Sequence, residues 1–337
     1  MAGKQYRVVH TDASPGQVIR EELRELDKLG AEVILTDCKT EDEVIEACRD
    51  ADGIMSVYSP LTRRVIESLQ NCKVIARYGI GVDNIDVEAA TEHGIVIANV
   101  PDYCFEEVSN HAIALLLACA RKLVYLSNSV RQGRWEDHPA PVGPIYGQTL
   151  GLVGCGNIGR ATAKKACCFG LRLLGYDPYL DEPIAREYGV ILVSLSELLK
   201  ESDFVSIHVP LSKETRHLIG EKEFKQMKPT AYFINTARGP VVDEAALITA
   251  LREGWIAGAG LDVFEKEPIK PDNPLLKMDN VVLTPHCAFY SDASSALLRT
   301  RVGQAVVDVL SGRWPRSLVN PAVKAKVHLQ GKTKLVP

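Results

Sequence analysis

Short apolar runs alternate with amphipathic stretches along the first hundred residues, and this alternation predicts a repeated strand–helix unit. Strands are predicted at the apolar runs 6–10, 31–36, 52–58, 73–77 and 95–98. Helices are predicted at the amphipathic stretches 15–29, 41–48, 63–69 and 86–93. Strands that alternate with helices are typical of an open parallel sheet with helices on both faces, so this region is predicted to form one α/β unit.

A second α/β unit is predicted after a long apolar stretch at about 106–129, which indicates a helix buried on more than one side. Either the rest of this chain or a neighbouring subunit can cover the second side. Strands are then predicted at 150–153, 171–176, 190–193, 203–209, 231–234, 256–261 and 281–283. A last helix, at 292–310, is predicted to return to the first unit.

The second unit opens with a strand, a glycine turn, a helix, another strand and an acidic residue. The turn is a GxGxxG pattern in the context that a dinucleotide site requires, Gly154-Cys155-Gly156-Asn157-Ile158-Gly159. Backbone N–H groups at the helix start would face a pyrophosphate. Asp177 lies 18 residues beyond the last glycine, where a carboxylate accepts from a ribose 2′-hydroxyl and repels a 2′-phosphate. The segment predicts a site for NAD rather than NADP, with a purely structural glycine turn as the alternative.

Composition narrows the classes of function. The 337 residues are 46% hydrophobic and 24% charged, with a formal net charge of −4, which is ordinary for a soluble globular protein of two domains. This balance gives no reason to expect nucleic acid or a membrane as a partner, and no apolar run reaches the roughly 18 residues that span a bilayer. The nine cysteines show no metal-ligand spacing, and the N-terminus lacks the apolar core of a signal peptide. We therefore expect a cytoplasmic protein with reduced cysteines and no metal.

Polar residues follow predicted strands of the second unit, at the edge where ligands bind in open α/β sheets. Arg238 can make charge-assisted bonds to a carboxylate and a carbonyl oxygen. His286 can give a proton to that oxygen as a hydride arrives, and Glu267 can bond the other ring nitrogen and favour the imidazolium. An arginine, a glutamate and a histidine in this order suit hydride transfer to a 2-oxo acid, and Asp262 likewise falls just past a predicted strand end. From spacing alone a structural role is an equal alternative, because an arginine at a helix start and a histidine after Thr-Pro are often structural.

Two segments of the first unit are candidates for holding the substrate. Gly79-Ile80-Gly81 follows a predicted strand, and such a loop can point consecutive N–H groups at a carboxylate. An ordinary strand-to-helix turn explains it equally well. Tyr58, together with Phe289, Tyr290 and Trp135, hints at an apolar or aromatic substrate side chain, and core packing is the alternative.

The chain resembles the D-isomer-specific 2-hydroxyacid dehydrogenase family over nearly its whole length, in the ordered motifs YGIGVDNID, GLVGCGNIGR, SDFVSIHVPL, INTARGPVVDEAAL, AGAGLDVFEKEP and LTPHCAFYS. The resemblance implies that Arg238 binds substrate, that His286 is the acid/base and that Glu267 pairs with it. Asp262 would contact the nicotinamide carboxamide, and the substrate carboxylate would lie at Ile80 and Gly81. The NAD site would contain Gly154, Gly156, Asn157, Ile158, Gly159, Asp177, His208, Val209, Pro210, Thr215, Thr236, Ala237, Arg238, Asp262 and His286.

The family fold that this resemblance implies is α/β, with two doubly wound parallel-sheet domains. A Rossmann NAD-binding domain, 101–288, would be inserted in a flavodoxin-like substrate domain, 1–100 plus 289–337. Family members are commonly dimers through the nucleotide domain, so a homodimer is expected. The implied activity is an NAD-dependent oxidoreductase that transfers a hydride between NAD(H) and a small D-2-hydroxy acid or 2-oxo acid.

Two branches of the family offer different functions. YDPYLDE, TPHCAFYS and GRWPRSL are similar to the C-terminal-binding-protein-like branch, whose animal members are NAD-sensing corepressors, so a partner-binding protein with little catalysis is the alternative function. Phe289 stands in place of the tryptophan of those corepressors, which favours an enzyme. The phosphoglycerate dehydrogenase branch has an Arg-Ser pair after its third strand, where this chain has Ser56-Val57. A substrate phosphate would therefore lack its arginine.

Overall fold

The computed structural model describes residues 6–14, 16–135 and 142–331. Contacts between backbone segments divide the chain into two compact units. The first unit comprises Met1–Tyr103 and Ser291–Pro337, and the second comprises Cys104–Tyr290. These bounds lie close to the domain bounds at 100 and 289 that the sequence predicts. The first unit is therefore built from both ends of the chain.

The described residues form twelve strands and twelve α-helices. The strands are β1 (Arg7–His10), β2 (Glu32–Leu35), β3 (Gly53–Ser56), β4 (Val74–Arg77), β5 (Val96–Ala98), β6 (Thr149–Val153), β7 (Arg172–Tyr176), β8 (Val190–Leu192), β9 (Phe204–Ile207), β10 (Tyr232–Asn235), β11 (Gly258–Leu261) and β12 (Val281–Leu283). The helices are α1 (Arg20–Leu26), α2 (Glu41–Cys48), α3 (Arg63–Ser68), α4 (Val87–Glu92), α5 (Phe105–Ala120), α6 (Leu123–Arg131), α7 (Asn157–Cys167), α8 (Glu182–Glu187), α9 (Leu195–Glu201), α10 (Glu221–Phe224), α11 (Glu244–Arg252) and α12 (Asp292–Leu310).

The first unit is built on an all-parallel, five-stranded sheet in the order β2-β1-β3-β4-β5, which is the flavodoxin-like order. Val9, Ile54 and Ile75 lie on three of its central strands and are fully buried, as expected for a parallel sheet covered on both faces. α12 packs on this sheet and on α1. The segments that follow β1, β3 and β4 therefore lie side by side at one edge.

The second unit is built on an all-parallel, seven-stranded sheet in the order β12-β11-β10-β9-β6-β7-β8. The direction of winding reverses at β6, which lies between β7 and β9, and dinucleotides bind at such a switch point. In the core of this unit, the rings of Phe224 and Phe233 meet edge to face with their centroids 5.2 Å apart. The two doubly wound parallel sheets confirm the predicted fold class.

Two predicted helices differ from the observed ones. The predicted start at Pro15 lies outside the described residues. Gly16 has a φ of 88°, which no right-handed helix accommodates, and Ile19, with a φ of −119° and a ψ of 55°, is the last non-helical residue before α1 begins at Arg20. The single helix predicted at 106–129 is two helices, since Lys122 adopts a left-handed φ of 50° between α5 and α6. α5 packs on α7, β10 and β11, so its wide apolar surface is covered within the same unit.

No one helix in the described ranges is long and apolar enough to cross a membrane. α5 and α6 reach that length and composition only when they are taken together, and they are bent by 61° where they meet.

Candidate active site

A histidine–carboxylate pair lies at the carboxyl edge of the seven-stranded sheet. His286 follows β12, and its Nδ1 lies 2.6 Å from Oε2 of Glu267. The other carboxylate oxygen, Oε1, accepts the Phe264 N–H at 2.9 Å, which fixes the carboxylate against the ring. Because a carboxylate can only accept, Nδ1 carries the hydrogen, and proton exchange falls to Nε2. The structure thus brings together the histidine and the glutamate that the sequence analysis paired.

Asp262 anchors the loop that carries His286. It follows β11 directly and is fully buried. Its Oδ1 accepts from the Thr284 hydroxyl at 2.6 Å and from the Cys287 N–H at 3.0 Å, and its Oδ2 accepts from the Ala288 N–H at 2.8 Å. The Asp262 carbonyl accepts the His286 N–H at 2.8 Å. His286 has a φ of 51°, an uncommon conformation for a residue other than glycine, and these bonds hold it there.

Sequence reasoning did not find this loop-holding role of Asp262. It assigned the residue to the cofactor, and that assignment stays a prediction. The sequence did contain a signal for this role: Asp262 stands at the end of one predicted strand, and the next predicted strand leads into His286. Asp262 and its loop partners are 22 to 26 residues apart, so the bonds follow from the pairing of β11 with β12.

His111, on α5, is a second residue that sequence reasoning did not single out. Its Nε2 lies 2.9 Å from the Thr284 hydroxyl and 3.6 Å from Oδ1 of Asp262. His111, Asp262 and Cys287 form a group whose potential ligand atoms lie within 4.8 Å of one another. His111 and Asp262 both bond the Thr284 hydroxyl, so this group helps to hold the His286 loop.

Arg238 lies in the turn after β10, the strand next to β11. Asn235 shapes this turn: its Oδ1 accepts the Ala237 N–H and its Nδ2 donates to the Arg238 carbonyl, each at 3.0 Å. A Cβ on Gly239 would lie 1.8 Å from the Phe264 carbonyl oxygen, so only glycine lets the turn approach the DVFEKEP segment this closely. Arg238 therefore shares with the histidine–carboxylate pair the carboxyl edge formed by three adjacent strands, β10, β11 and β12.

The three glycines of the turn between β6 and α7 differ in what surrounds them. Gly154 has a φ of 92°, and a Cβ on Gly159 would lie 2.3 Å from the Gly154 carbonyl oxygen, so the protein itself needs glycine at both positions. A Cβ on Gly156 would meet no described atom within 4 Å. Protein packing does not explain glycine at this exposed position, whereas the close approach of a pyrophosphate does.

The start of α7 leaves a backbone N–H group for an anion. The first helical bond is donated by Arg160 to the Gly156 carbonyl, so the Ile158 N–H is not used within α7 and can serve an anion.

Asp177 follows β7 and holds the glycine turn from the side. Its Oδ2 accepts the Cys155 N–H at 2.8 Å, and its Oδ1 accepts the Tyr179 N–H at 2.9 Å. Each carboxylate oxygen keeps a second lone pair, so a ribose hydroxyl can still donate to it. The carboxylate thus supports the turn and also presents a negative charge beside it.

The loop after β9 lies directly against the glycine turn. A Cβ on Gly154 would lie 2.9 Å from both the His208 carbonyl carbon and the Val209 nitrogen. Burial lowers the pKa of His208 to about 4, so its ring is neutral at neutral pH. The Thr215 hydroxyl donates to the Pro210 carbonyl at 2.6 Å and closes this loop. The predicted cofactor residues of the loop are therefore gathered at the switch point of the sheet.

Two buried polar atoms next to this switch point have no hydrogen-bond partner within the described ranges: Nδ1 of His208 and Oγ1 of Thr236. Such atoms are costly unless water or a ligand satisfies them. Together with the open space at Gly156 and the carboxylate of Asp177, they are the features by which this unit fits a dinucleotide.

The aromatic residues predicted to line the substrate have different surroundings. The Phe289 ring lies edge to face with the His286 ring, with their centroids 6.4 Å apart. Tyr290 and Trp135 are 61% and 87% exposed, and Tyr58, in the first unit, is 62% exposed. Of this set, the structure brings Phe289 beside the histidine.

The glycine loop after β4 is held through its carbonyl groups. Gly79 has a φ of 133°. Its carbonyl accepts the Val100 N–H at 2.9 Å, and the Ile80 carbonyl accepts from Nδ2 of Asn99 at 2.7 Å. The carbonyls are thus tied to the segment after β5, while the N–H groups of Ile80 and Gly81 have no acceptor in the part of the chain that the structure describes. N–H groups without an acceptor can bind an anion, and carboxylate binding at Ile80 and Gly81 stays a prediction.

Comparison with known proteins identifies the family. The model of the D-isomer specific 2-hydroxyacid dehydrogenase family, NAD binding domain, matches residues 113–288. The chain belongs to this family. It is 46% identical to a glyoxylate reductase of Korarchaeum cryptofilum over 285 residues, which are 83% of this chain and 86% of that protein. It is 42% identical to a D-3-phosphoglycerate dehydrogenase of Methanocaldococcus jannaschii over 297 residues, which are 88% of this chain but 56% of that protein.

A solved structure agrees with this membership. The D-lactate dehydrogenase of Aquifex aeolicus, complexed with NAD and lactic acid, matches with a TM-score of 0.81 at 32% identity, covering 90% of this chain and 96% of that one. The protein is thus an NAD-dependent D-2-hydroxyacid dehydrogenase, an oxidoreductase that acts on a hydroxy acid and its oxo acid. The predicted activity and the predicted cofactor, NAD, are confirmed. The alternative of an NAD-sensing, partner-binding protein is not favoured by these relatives.

Proposed function

We propose that this dehydrogenase reduces a small 2-oxo acid, such as glyoxylate, and that His286 is its proton donor. The observation that carries the proposal is the contact of 2.6 Å between Nδ1 of His286 and the Glu267 carboxylate. It fixes the ring so that Nε2 is the atom that exchanges a proton. The glyoxylate reductase among the relatives supports a small substrate.

In this proposal Arg238, Glu267 and His286 share the work of binding the oxo acid and transferring a proton to it. NADH, when bound, supplies the hydride. Arg238 binds the carboxylate of the oxo acid and stabilises the negative charge that develops on its carbonyl oxygen. His286 gives the proton on Nε2 to that oxygen, while Glu267 holds Nδ1–H and stabilises the imidazolium. In the reverse direction, Nε2 takes the proton back.

We further propose that the first unit, 1–100 plus 289–337 by its predicted bounds, is the substrate domain and that 101–288 is the NAD-binding domain. Ile80 and Gly81 would bind the carboxylate through their N–H groups. Tyr58 would contact the substrate side chain, and Phe289, which lies beside His286, would do the same.

The test is NADH oxidation with glyoxylate, pyruvate, hydroxypyruvate, its 3-phosphate and phenylpyruvate. Arg238→Ala and His286→Ala should each lower kcat/KM by roughly 10²-fold or more, because each removes a transition-state contact or the proton donor. NADH binding should persist in the histidine variant. His217→Ala is the matched control, since Nε2 of His217 lies 2.9 Å from a carboxylate oxygen of Glu265 and the pair is outside the proposed site.

Two outcomes would contradict this assignment. Turnover that survives both substitutions would exclude the assigned roles of Arg238 and His286. A preference for the phosphorylated acid over all the others would replace the proposed substrate with that of the phosphoglycerate dehydrogenases.

We also propose a homodimer that forms through α6. Leu123, Val124 and Val130 on this helix are 54%, 43% and 54% exposed, although they are apolar. Since α5 is covered within its own unit, α6 is where a second copy would bury apolar surface. Sedimentation of Val130→Glu should show a monomer if this surface is the interface, and an unchanged dimer would exclude it.

We propose the cytoplasm as the location. Cys48, Cys119 and Cys155 are buried and carry free thiols. Free thiols are typical of a reducing compartment. Location of a tagged chain by microscopy or fractionation tests this assignment, and recovery from an oxidising compartment would contradict it.

A further inference from the structure

One loop of the first unit is held by a single carboxylate. Oδ2 of Asp12 accepts the Val57 N–H at 2.7 Å, and Oδ1 accepts the Tyr58 and Ser59 N–H groups at 2.9 and 2.8 Å. The hydroxyls of Thr11 and Ser59 donate to the same carboxylate at 2.7 and 3.1 Å. Consecutive backbone N–H groups usually converge in this way on a bound anion. Here the anion is a side chain of the protein itself.

The parallel register of the sheet places these groups together. β1 pairs with β3, and His10 lies opposite Met55, so Asp12 lies beside the segment that follows β3. Burial alone would raise the pKa of Asp12, but the N–H and hydroxyl donors outweigh it and lower the pKa. The carboxylate is therefore ionised throughout the neutral range, and its bonds are charge-assisted.

The same loop is joined to the segment that contains the proposed carboxylate-binding turn. The Ser59 carbonyl accepts from Nδ2 of Asn84 at 2.9 Å, and the Asn84 carbonyl accepts the Leu61 N–H at 2.8 Å. The loop is thus held by Asp12 through three N–H groups, and by Asn84 of the YGIGVDNID segment through the Ser59 carbonyl and the Leu61 N–H. Its backbone has little freedom, although the Tyr58 side chain is 62% exposed.

We infer that Asp12 is a positioning residue for substrate selectivity: it fixes the backbone of Val57–Ser59 and so decides where Tyr58 meets the substrate side chain. This inference rests on the proposed function, in which Tyr58 contacts substrate. Arg238, Glu267 and His286 belong to the other unit. The effect of Asp12 should therefore fall on substrate binding rather than on the chemical step.

The test compares Asp12→Asn with Asp37→Asn, a matched control. Both changes replace one carboxylate by an amide at neighbouring strand ends, but Asp37 is exposed and its carboxylate pairs only with Lys39 in the described structure. An amide nitrogen cannot accept, so Asp12→Asn leaves at least one loop N–H without an acceptor. We expect the KM for pyruvate and phenylpyruvate to rise ~10-fold or more. kcat should change by less than ~3-fold, and the Kd for NADH should not change. Asp37→Asn should match the wild type.

Two further variants separate positioning from a general loss of stability. Thr11→Val removes one hydroxyl donor and keeps the carboxylate, so it should raise KM by ~3-fold even if Asp12→Asn fails to fold. In a Tyr58→Ala background, Asp12→Asn should change KM much less than it does alone, because the side chain that the loop positions is gone.

Each outcome decides a separate question. Wild-type turnover combined with an unchanged KM in Asp12→Asn and Thr11→Val would overturn the inference alone and leave the proposed function intact. Equal effects of Asp12→Asn with and without Tyr58 would also overturn it, since Asp12 would then act elsewhere. A wild type that reduces none of the acids would overturn the proposed function, and the inference would fall with it.

Discussion

Replacing Gly156 by alanine is expected to abolish tight NADH binding and to leave the fold intact. Gly156 has a φ of −66°, which any residue adopts. An added Cβ meets no described atom within 4 Å. The free energy of unfolding should therefore change by less than about 1 kcal/mol. The methyl group would instead stand between the backbone and a pyrophosphate, which is where the glycine turn is expected to need close contact.

Gly159→Ala is the matched comparison, because it makes the same chemical change three residues further along the turn. Its Cβ would lie 2.3 Å from the Gly154 carbonyl oxygen, which is shorter than any allowed contact, and the obstacle is backbone. The turn must deform, at a cost of roughly 1–3 kcal/mol. This variant should therefore lose stability as well as NADH binding.

For both variants, fluorescence titration with NADH measures the Kd and thermal unfolding measures the Tm. For Gly156→Ala we expect a Kd raised ~10-fold or more, which is about 1.4 kcal/mol, with the Tm within ~3 °C of the wild type. For Gly159→Ala we expect the Tm to fall by several degrees. A wild-type Kd in Gly156→Ala would refute the reasoning, because the backbone at this position would then not approach the cofactor. Equal losses of Tm in the two variants would show that the space at Gly156 is not open.

Three further predictions concern other charged and titratable groups. Asp177→Ser should raise the ratio of kcat/KM for NADPH to that for NADH by ~10-fold, since the carboxylate that repels a 2′-phosphate is gone; an unchanged ratio would move cofactor selection elsewhere. Asp262→Asn should lower kcat by ~10-fold or more with little change in NADH affinity, because an amide nitrogen cannot accept the bonds that hold the His286 loop. A raised Kd for NADH with a normal kcat would instead favour the predicted contact of Asp262 with the cofactor. Burial lowers the pKa of His10 from 6.5 to about 4. Between pH 6.5 and pH 4, the unfolded chain therefore binds a proton at His10 that the folded chain does not. The free energy of unfolding should therefore fall as the pH drops from 6.5 to 4, by up to about 3 kcal/mol from this group, and His10→Asn should flatten the fall in urea titrations across that range.

The sequence by itself determined the elements and the class of chemistry. Apolar runs and amphipathic stretches predicted the strands of both sheets, because buried parallel strands and their covering helices have strong local patterns. The sequence also identified the candidate site residues. These are the glycine turn, the acidic residue after β7 and the residues at the ends of β10, β11 and β12. Each lies next to a predicted strand end, and the carboxyl ends of parallel strands share one edge.

Local patterns did not reveal where the apolar surface of the second unit lies. The break between α5 and α6 falls at Lys122, a good helix former, so nothing in the residue types predicts its φ of 50°. Only the packing of α5 on its own unit showed that α6, rather than α5, leaves apolar side chains exposed.

The tertiary structure also decided which carboxylates hold the loops. Asp12 bonds an N–H 45 residues away, and Asp262 bonds one 26 residues away. A carboxylate has no sequence signal for a partner at such distances, since the partner is chosen by strand pairing and register. Residue types and their order therefore determined the cofactor and the reaction, and the pairing of distant segments decided how the residues of the site are held in place.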